Sequence, residues 1–186
     1  RSHGDFTVSR VGTTEYAGLP TEVVPLNPLD DDEISFYSAR LDKHFNDGGL
    51  FTVEGGDLSL EGPAFQTGIG RVQLKDVERP WARLNYSRPH WNFLAYQTKR
   101  EASRQTALSS GANLALETER VTFEGQTNWE LGESARIVIG ASVSEEDIDT
   151  FDPSTGRQSL VFQPISNAQS AIFAQVDWNV TDKVKL

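Results

Sequence analysis

Apolar and polar residues alternate with a period of two along several segments of this chain. In residues 171–179 every second side chain, from Ile172 to Trp178, is apolar. Residues 135–143 alternate in the same way. Residues 121–131 combine a mostly apolar row with a row of polar side chains only. Successive side chains of a β-strand point to opposite faces of its sheet, so this period predicts strands.

The predicted strands are joined by connections of two kinds. The clearest tight turn is Asn46–Gly49, because Asn, Asp and Gly tolerate the positive φ that hairpin turns require. Long connections are predicted for 12–33, 99–117 and 145–168, while residues 59–80 fit either a loop or a further hairpin. The predicted strands are 5–10, 34–45, 51–56, 82–87, 91–98, 121–131, 136–144 and 171–179, with further tight turns at 88–90, 131–134 and 180–182.

Long and short connections alternate along the chain. In an antiparallel meander, alternate connections lie at the same end of the sheet. One end should therefore have only tight turns and the other only long connections. The sequence predicts an all-β, antiparallel up-and-down meander, and a large transmembrane β-barrel has this asymmetry between its two ends.

Large aromatic residues lie close to the tight turns. Phe45, Trp91, Trp129 and Trp178 are each within one or two residues of such a turn. Rings of this kind concentrate at the headgroup level of a membrane and would form a girdle there. In a soluble sandwich the same residues would instead close one end of the core. The coincidence with the turns favours part of a transmembrane barrel, with one row facing lipid and the other facing the lumen.

Composition excludes several classes of protein. The 186 residues include no Cys, which excludes disulfides and thiolate metal sites, and no Met, so the chain is expected to be a fragment without its initiator. No apolar run approaches the roughly 20 residues of a membrane helix. Acidic residues outnumber basic ones by 27 to 17, the net charge is -10, and no basic stripe is present. Nucleic acid is therefore not an expected partner.

Two segments suggest a family. Residues 135–143 read Ala-Arg-Ile-Val-Ile-Gly-Ala-Ser-Val and precede the acidic run 144–149, and residues 172–183 read Ile-Phe-Ala-Gln-Val-Asp-Trp-Asn-Val-Thr-Asp-Lys. The chain from about Asp32 to Leu186 resembles the early barrel region of a TonB-dependent outer-membrane receptor. The resemblance implies a barrel of about 22 strands with a plugged lumen. Residues 1–186 would then be a partial barrel domain, without the plug and the remaining strands.

The resemblance also implies a function. It is the energised import of a scarce ligand such as a ferric siderophore, cobalamin or an oligosaccharide. The implied partners are the lipid of a bacterial outer membrane and a TonB-type energy-coupling protein, and no cofactor is implied. Polar residues that share one side of their strands are candidates to face the lumen, where they would contact the plug or the ligand: Arg83, Asn85, Glu124, Gln126, Asn128, Arg136, Gln175 and Asp177.

Two alternatives to the receptor stay open. One is a passive porin-type channel, in which the same polar residues would set ion selectivity. The other is a soluble β-sandwich such as a carbohydrate-binding module. An enzyme is not expected, because His3, His44 and His90 lack metal-ligand spacing and no nucleophile-elbow or phosphate-loop motif is present.

An acidic cluster is a candidate calcium site. Asp147, Asp149 and Asp152 precede Gly156 and offer the oxygen ligands that Ca2+ prefers, although Phe151 stands where an EF-hand loop needs an oxygen. Solvated acidic loops are the more common arrangement, so no metal is assigned.

The membrane and soluble architectures predict different exposure of the apolar row. A barrel leaves this row on the outer side, whereas a sandwich buries it between two sheets. We also expect the isolated chain to need detergent, because open sheet edges and an apolar band are incompatible with a stable monomer in water. The barrel should expose Ile137, Ile139, Val143, Ile172, Val176 and Trp178, with Glu124, Gln126 and Arg136 on the concave side.

Overall fold

The computed structural model describes residues 33–62, 64–68, 70–132, 134–181 and 184–185. The predicted strand 5–10 and most of the predicted loop 12–33 lie outside these residues. Within the described residues no helix is long and apolar enough to cross a membrane. The strands are β1 (Glu33–His44), β2 (Leu50–Glu61), β3 (Ala64–Thr67), β4 (Gly70–Glu78), β5 (Trp81–Arg88), β6 (Trp91–Ala107), β7 (Leu116–Leu131), β8 (Ala135–Asp149), β9 (Phe151–Asp152), β10 (Arg157–Gln158), β11 (Ile165–Thr181) and β12 (Val184–Lys185).

Ten strands form one antiparallel sheet. Its main path runs β1, β2, β5, β6, β7, β8, β11 and β12, so strands that follow one another in the chain are neighbours, apart from two inserted hairpins. One insert is β3–β4, in which β4 continues the line of β5 and pairs with the far half of β6. The predicted all-β up-and-down meander is confirmed. Within the described residues, the outer strands β1 and β12 do not pair with each other.

Register places the tight turns at one end of the sheet. A residue beside one tight turn pairs, on the neighbouring strand, with a residue near the next tight turn. The turns therefore lie at the same end of the sheet. The tight-turn end predicted from the alternation is confirmed for the first three turns, while residue 133 of the third turn and residue 182 of the fourth lie outside the described ones. The flanking pairs are Leu50 with Ser87, Trp91 with Thr127, and Trp178 with Ala135.

The β1–β2 turn illustrates why the chain reverses there. The Phe45 N–H donates to the Gly49 carbonyl at 2.8 Å, and Gly48 has a φ of 79°, which L side chains rarely adopt. Asp47 accepts the Gly49 N–H at 3.1 Å and forms an ion pair with Arg88 of the next turn at 2.6 Å. Neighbouring turns at this end are therefore joined to each other.

Cross-strand register divides the side chains into two faces, because residues that pair directly across antiparallel strands point to the same side. The row that contains Phe51, Tyr86, Phe93, Gly125 and Ala141 has no charged residue from β2 to β8. Neighbouring rows extend it into what we call the apolar face, whose residues include Leu41, Phe51, Val53, Leu84, Tyr86, Trp91, Phe93, Ala95, Phe123, Trp129, Ile137, Ile139, Ala141, Val143, Ile172, Ala174, Val176 and Trp178.

The apolar face is open to its surroundings in the described part of the chain. Ile172 is 86% exposed, Phe123 55% and Val143 52%. The predicted exposure also holds for Ile139, Val176 and Trp178, whereas Ile137 is partly buried. Single exposed apolar residues are ordinary, but a contiguous apolar surface across several strands marks an interaction surface. The described residues do not form the two-sheet core that a soluble sandwich requires.

The buried apolar residues lie at the opposite end, beside the longer connections. The β3–β4 hairpin, the end of β6 and the connection 108–115 pack together there. Leu108 is fully buried, and the Leu108 N–H donates to the Arg71 carbonyl at 2.9 Å. We call this group the loop-end cluster, which consists of Val72, Leu74, Val77, Ala102, Ala107, Leu108, Leu114 and Ala115.

The predicted long connections are partly wrong. β6 continues to Ala107 and β7 begins at Leu116, so only 108–115 connects them; β8 and β11 also extend further than predicted, and 150–164 contains the β9–β10 hairpin. Beyond the apolar face most residues on both sides of these strands are polar, so the period of two disappears while the hydrogen bonding continues. Lys99 joins the strands there through ion pairs with Glu101 at 2.6 Å and Glu117 at 3.0 Å. For 59–80, the hairpin is the correct alternative.

Candidate functional site

The side of the sheet opposite the apolar face contains the polar residues selected from the sequence. Register connects them: Asn85 and Glu124 both pair with Leu94, and Arg136 pairs with Asp177. We call this side the polar face. All eight predicted residues lie on it, namely Arg83, Asn85, Glu124, Gln126, Asn128, Arg136, Gln175 and Asp177.

The polar face has an ion-pair network near β1 and β2. Glu54, with a side chain only 15% exposed, accepts a 2.9 Å hydrogen bond from Arg83 and lies 3.9 Å from a guanidinium nitrogen of Arg40. Asp42 accepts from Arg40 Nε at 2.9 Å and from the Thr52 hydroxyl at 2.6 Å. Asp42 is thus fixed by two hydrogen-bond donors, and Glu54 by one hydrogen bond and the nearby charge of Arg40.

A groove of about 470 Å³ opens beside this network. Arg83 pairs directly with Tyr96, and Trp81 lies across Gly56, where an added Cβ would be only 3.0 Å from Trp81 Nε1. A flat aromatic surface next to fixed charged donors is the mixed lining typical of small-molecule sites. The groove is lined by Glu54, Trp81, Arg83, Leu94 and Tyr96.

The remaining predicted polar residues lie closer to the tight turns. Gln175 Nε2 donates to Asp177 at 3.0 Å, and Arg136 is opposite Asp177 in the next strand. Asn128 instead stabilises the β5–β6 turn, because its side-chain amide donates to the Pro89 carbonyl at 3.2 Å. The structure therefore separates these residues from the Arg83 group and does not bring all eight into one site.

The predicted girdle residues lie at the tight-turn end. The rings of Trp91 and Trp129 meet edge to face with centroids 6.2 Å apart, and Phe45 meets Tyr86 in the same way at 6.2 Å. Phe93 stacks on Trp91 at 6.2 Å. These five residues form what we call the aromatic strip. Trp178 lies further along the same end, half exposed on β11.

Two of the three carboxylates of the candidate calcium site, Asp149 and Asp152, have separate structural roles. Asp149 accepts the Phe151 N–H at 3.0 Å, and Asp152 accepts the Ser154 N–H at 3.0 Å and the Asn113 side-chain amide at 3.1 Å. No group of three His, Cys, Asp or Glu residues in the described ranges could hold a metal ion. Asp149 and Asp152 are therefore assigned to the closure of the β9–β10 hairpin, and calcium is not assigned.

Replacing Asp152 with Asn should loosen the β9–β10 hairpin. Hydrogen bonds from Ser154, Asn113 and Thr155 favour the charged carboxylate and lower the pKa of Asp152. Its stabilising effect is thus present above the ordinary Asp pKa of about 3.9 and is lost as the pH falls through the lower folded value. Hydrogen exchange of residues 150–160, corrected for the intrinsic rate, should increase in the variant at neutral pH.

The control for this change is Asp147→Asn, an exposed carboxylate on β8. It should leave exchange in 150–160 unchanged. Equal effects of the two substitutions, or none from Asp152→Asn, would show that the Asp152 hydrogen bonds do not hold the hairpin.

Sequence reasoning missed several residues of the polar face. Glu54, Arg40 and Asp42 were not selected, although the Asn46–Gly49 turn fixes the register of its two strands. That register places Arg40 opposite Glu54 and Asp42 opposite Thr52. A turn-based alignment of β1 and β2 would therefore have found the ion pairs. The groove was not predictable in this way, since it depends on the path of β5 beside β2.

No protein-family model matches the chain, and no significant match was found among curated proteins or among solved structures. The class of the protein has to be argued from its geometry.

Proposed function

We propose that this chain forms part of the barrel of a TonB-dependent outer-membrane receptor that imports a scarce ligand. The observation behind the proposal is the combination of a continuous exposed apolar face with an aromatic strip along its tight-turn end. Exposing Phe93, Phe123, Val143 and Ile172 together to water is unfavourable for a soluble sheet, whereas a lipid-facing surface requires such residues.

The dimensions of the apolar face support a lipid contact. On β8 the row extends from Ala135 to Val143 and is followed by Glu145 and Asp147 on the same side. Transmembrane β-strands need about 9–11 residues when tilted by about 45°. The aromatic strip would lie at the headgroup level of one leaflet, and the charged residues would lie beyond the other.

The polar face would line the barrel interior. Barrels in membranes alternate apolar residues outside with polar residues inside, and the Arg83 network and its groove are on the inner side in this orientation. Because β1 and β12 do not pair in the described part, closure of the barrel would need further strands. In the same proposal, the ligand, for example a ferric siderophore, contacts the inner side of the barrel, and a TonB-type protein supplies the energy for its import.

The orientation can be tested with single cysteines, since the chain has none of its own. Ile172 and Ala171 are consecutive residues on opposite faces of β11. With the full-length protein in phospholipid vesicles, a fluorophore on Ile172→Cys should be quenched by brominated lipid, and one on Ala171→Cys by aqueous iodide. Equal quenching at the two sites would contradict a lipid-facing apolar side.

Conductance separates a receptor from a passive channel. In planar bilayers, the full-length protein should give no steady ion current, because a plug fills the lumen of a receptor. A steady open current would favour the porin alternative instead. Ligand uptake by cells should also stop when the TonB-type protein is deleted, and continued uptake would exclude energised import.

A further inference from the structure

Two arginines are direct neighbours on the polar face, between the groove and the loop-end cluster. The pairing of β6 continues in one register from the end of β4 to the start of β5, which places Arg79 opposite Arg100. Like charges in directly opposite positions destabilise an antiparallel pair. Their juxtaposition therefore needs a compensating interaction.

Neither guanidinium has a carboxylate partner among the described residues. Arg100 Nη2 donates to the neutral Oε1 of Gln105 at 3.1 Å, while the Arg100 Nε is buried without an acceptor. Burial, together with the positive charge of Arg79, lowers the pKa of Arg100. A partly buried cation without a counter-charge lowers stability, so this arrangement is incomplete as it stands.

A shortage of carboxylates does not explain the missing partner. The chain has 27 acidic residues, and the adjacent Lys99, on the other face, is bound by both Glu101 and Glu117. Arg83 on the same face is bound by Glu54. Among the described residues, Arg79 and Arg100 are the only pair in which two like charges lie directly opposite each other and one of them has a buried N–H group, that of Arg100 Nε, without an acceptor.

We propose that Arg79 and Arg100 bind an oxyanion, the carboxylate or phosphate group of a small molecule. Two planar guanidinium groups offer several N–H donors in the fork geometry that matches such groups, and a bound oxyanion would supply the missing counter-charge beside the buried Arg100 Nε. Trp81 follows two residues after Arg79, on the same side, so the bound molecule could place an apolar part in the groove. The site exists whether or not the sheet lines a barrel.

The probes are inorganic phosphate and citrate, titrated separately into the purified full chain in detergent at constant ionic strength and followed by calorimetry. Saturable binding of at least one probe is expected. Arg100→Gln and Arg79→Gln should each weaken it by about tenfold or more, since charge-assisted hydrogen bonds are lost. Arg100→Lys should give an intermediate affinity, because it keeps the charge but not the planar fork.

The matched control is Arg157→Gln, an exposed arginine on the β9–β10 hairpin. Arg157→Gln should leave the affinity unchanged. If Arg100 variants fail to fold, the Arg79 variant still tests the proposal, because Arg79 is exposed and can be replaced without disturbing the fold. Preference for phosphate or for citrate would identify the anionic group. The proposal is overturned if neither probe saturates, or if Arg157→Gln weakens binding as much as Arg79→Gln.

Discussion

Replacing Ile139 with Arg is expected to lower the free energy of unfolding of the full-length protein in phospholipid vesicles by about 2–4 kcal/mol, the cost of an arginine at the middle of a bilayer. Ile139 is at the centre of the apolar row of β8 and is 46% exposed on the apolar face. Equilibrium unfolding in denaturant, followed by tryptophan fluorescence in the presence of vesicles, measures the change.

Val138→Arg is the matched control, because Val138 precedes Ile139 and points to the polar face. Its cross-strand neighbours are Asn128 and Gln175, which can accept hydrogen bonds from a guanidinium. Val138 is half-buried on a side that already contains polar groups, so the loss of stability should stay below about 1 kcal/mol. Equal losses from the two substitutions would mean that the two faces meet the same environment, which a lipid-facing apolar side does not allow.

Gly140→Ala is expected to destabilise the sheet by roughly 1–3 kcal/mol, the usual cost of inserting a group into occupied space. Gly140 pairs with Phe173, whose ring lies over the glycine. A Cβ at position 140 would lie 2.2 Å from Cζ of that ring, so the Phe173 side chain would have to turn away. Unfolding in detergent, measured with and without the substitution, gives the change.

The Phe173→Ala background tests this explanation. With the ring absent, Gly140→Ala should be neutral or should stabilise by about 0.4–1 kcal/mol, since alanine reduces the freedom of the unfolded chain. Gly125→Ala is a graded comparison, because its Cβ would lie 3.3 Å from the ring of its own partner, Phe93. Additive losses in the double variant would refute the ring clash.

Local sequence signals were sufficient for the central part of the fold. Apolar and polar residues alternate in 121–131 and 171–179 because the two sides of the sheet have different surroundings. The alternation therefore predicts both the strand and the side on which each residue lies. The Asn46–Gly49 turn fixes the first hairpin because few other residues allow its backbone angles. Together with the alternation of short and long connections, these two signals predicted the meander and its tight-turn end.

The parts that were missed have no such local signal. The outer halves of β6 and β7 are polar on both sides, so their strand structure depends on cross-strand hydrogen bonds and ion pairs such as Lys99 with Glu117. Within the candidate site, the side of each residue was predictable from its position in a strand. The grouping of Glu54 with Arg83, and of Arg79 with Arg100, required the register between strands that no short segment encodes.

The central strands are longer than the apolar row that would contact lipid in the proposed orientation. β6 has 17 residues, or about 55 Å at roughly 3.3 Å per residue, whereas the apolar row of β8 from Ala135 to Val143 covers only about 30 Å. In the proposed orientation the sheet would rise well above the lipid, stiffened by the loop-end cluster. Such a collar would hold the connection 150–164, with its fully exposed Phe162, well away from the bilayer, where large molecules in solution would reach it first.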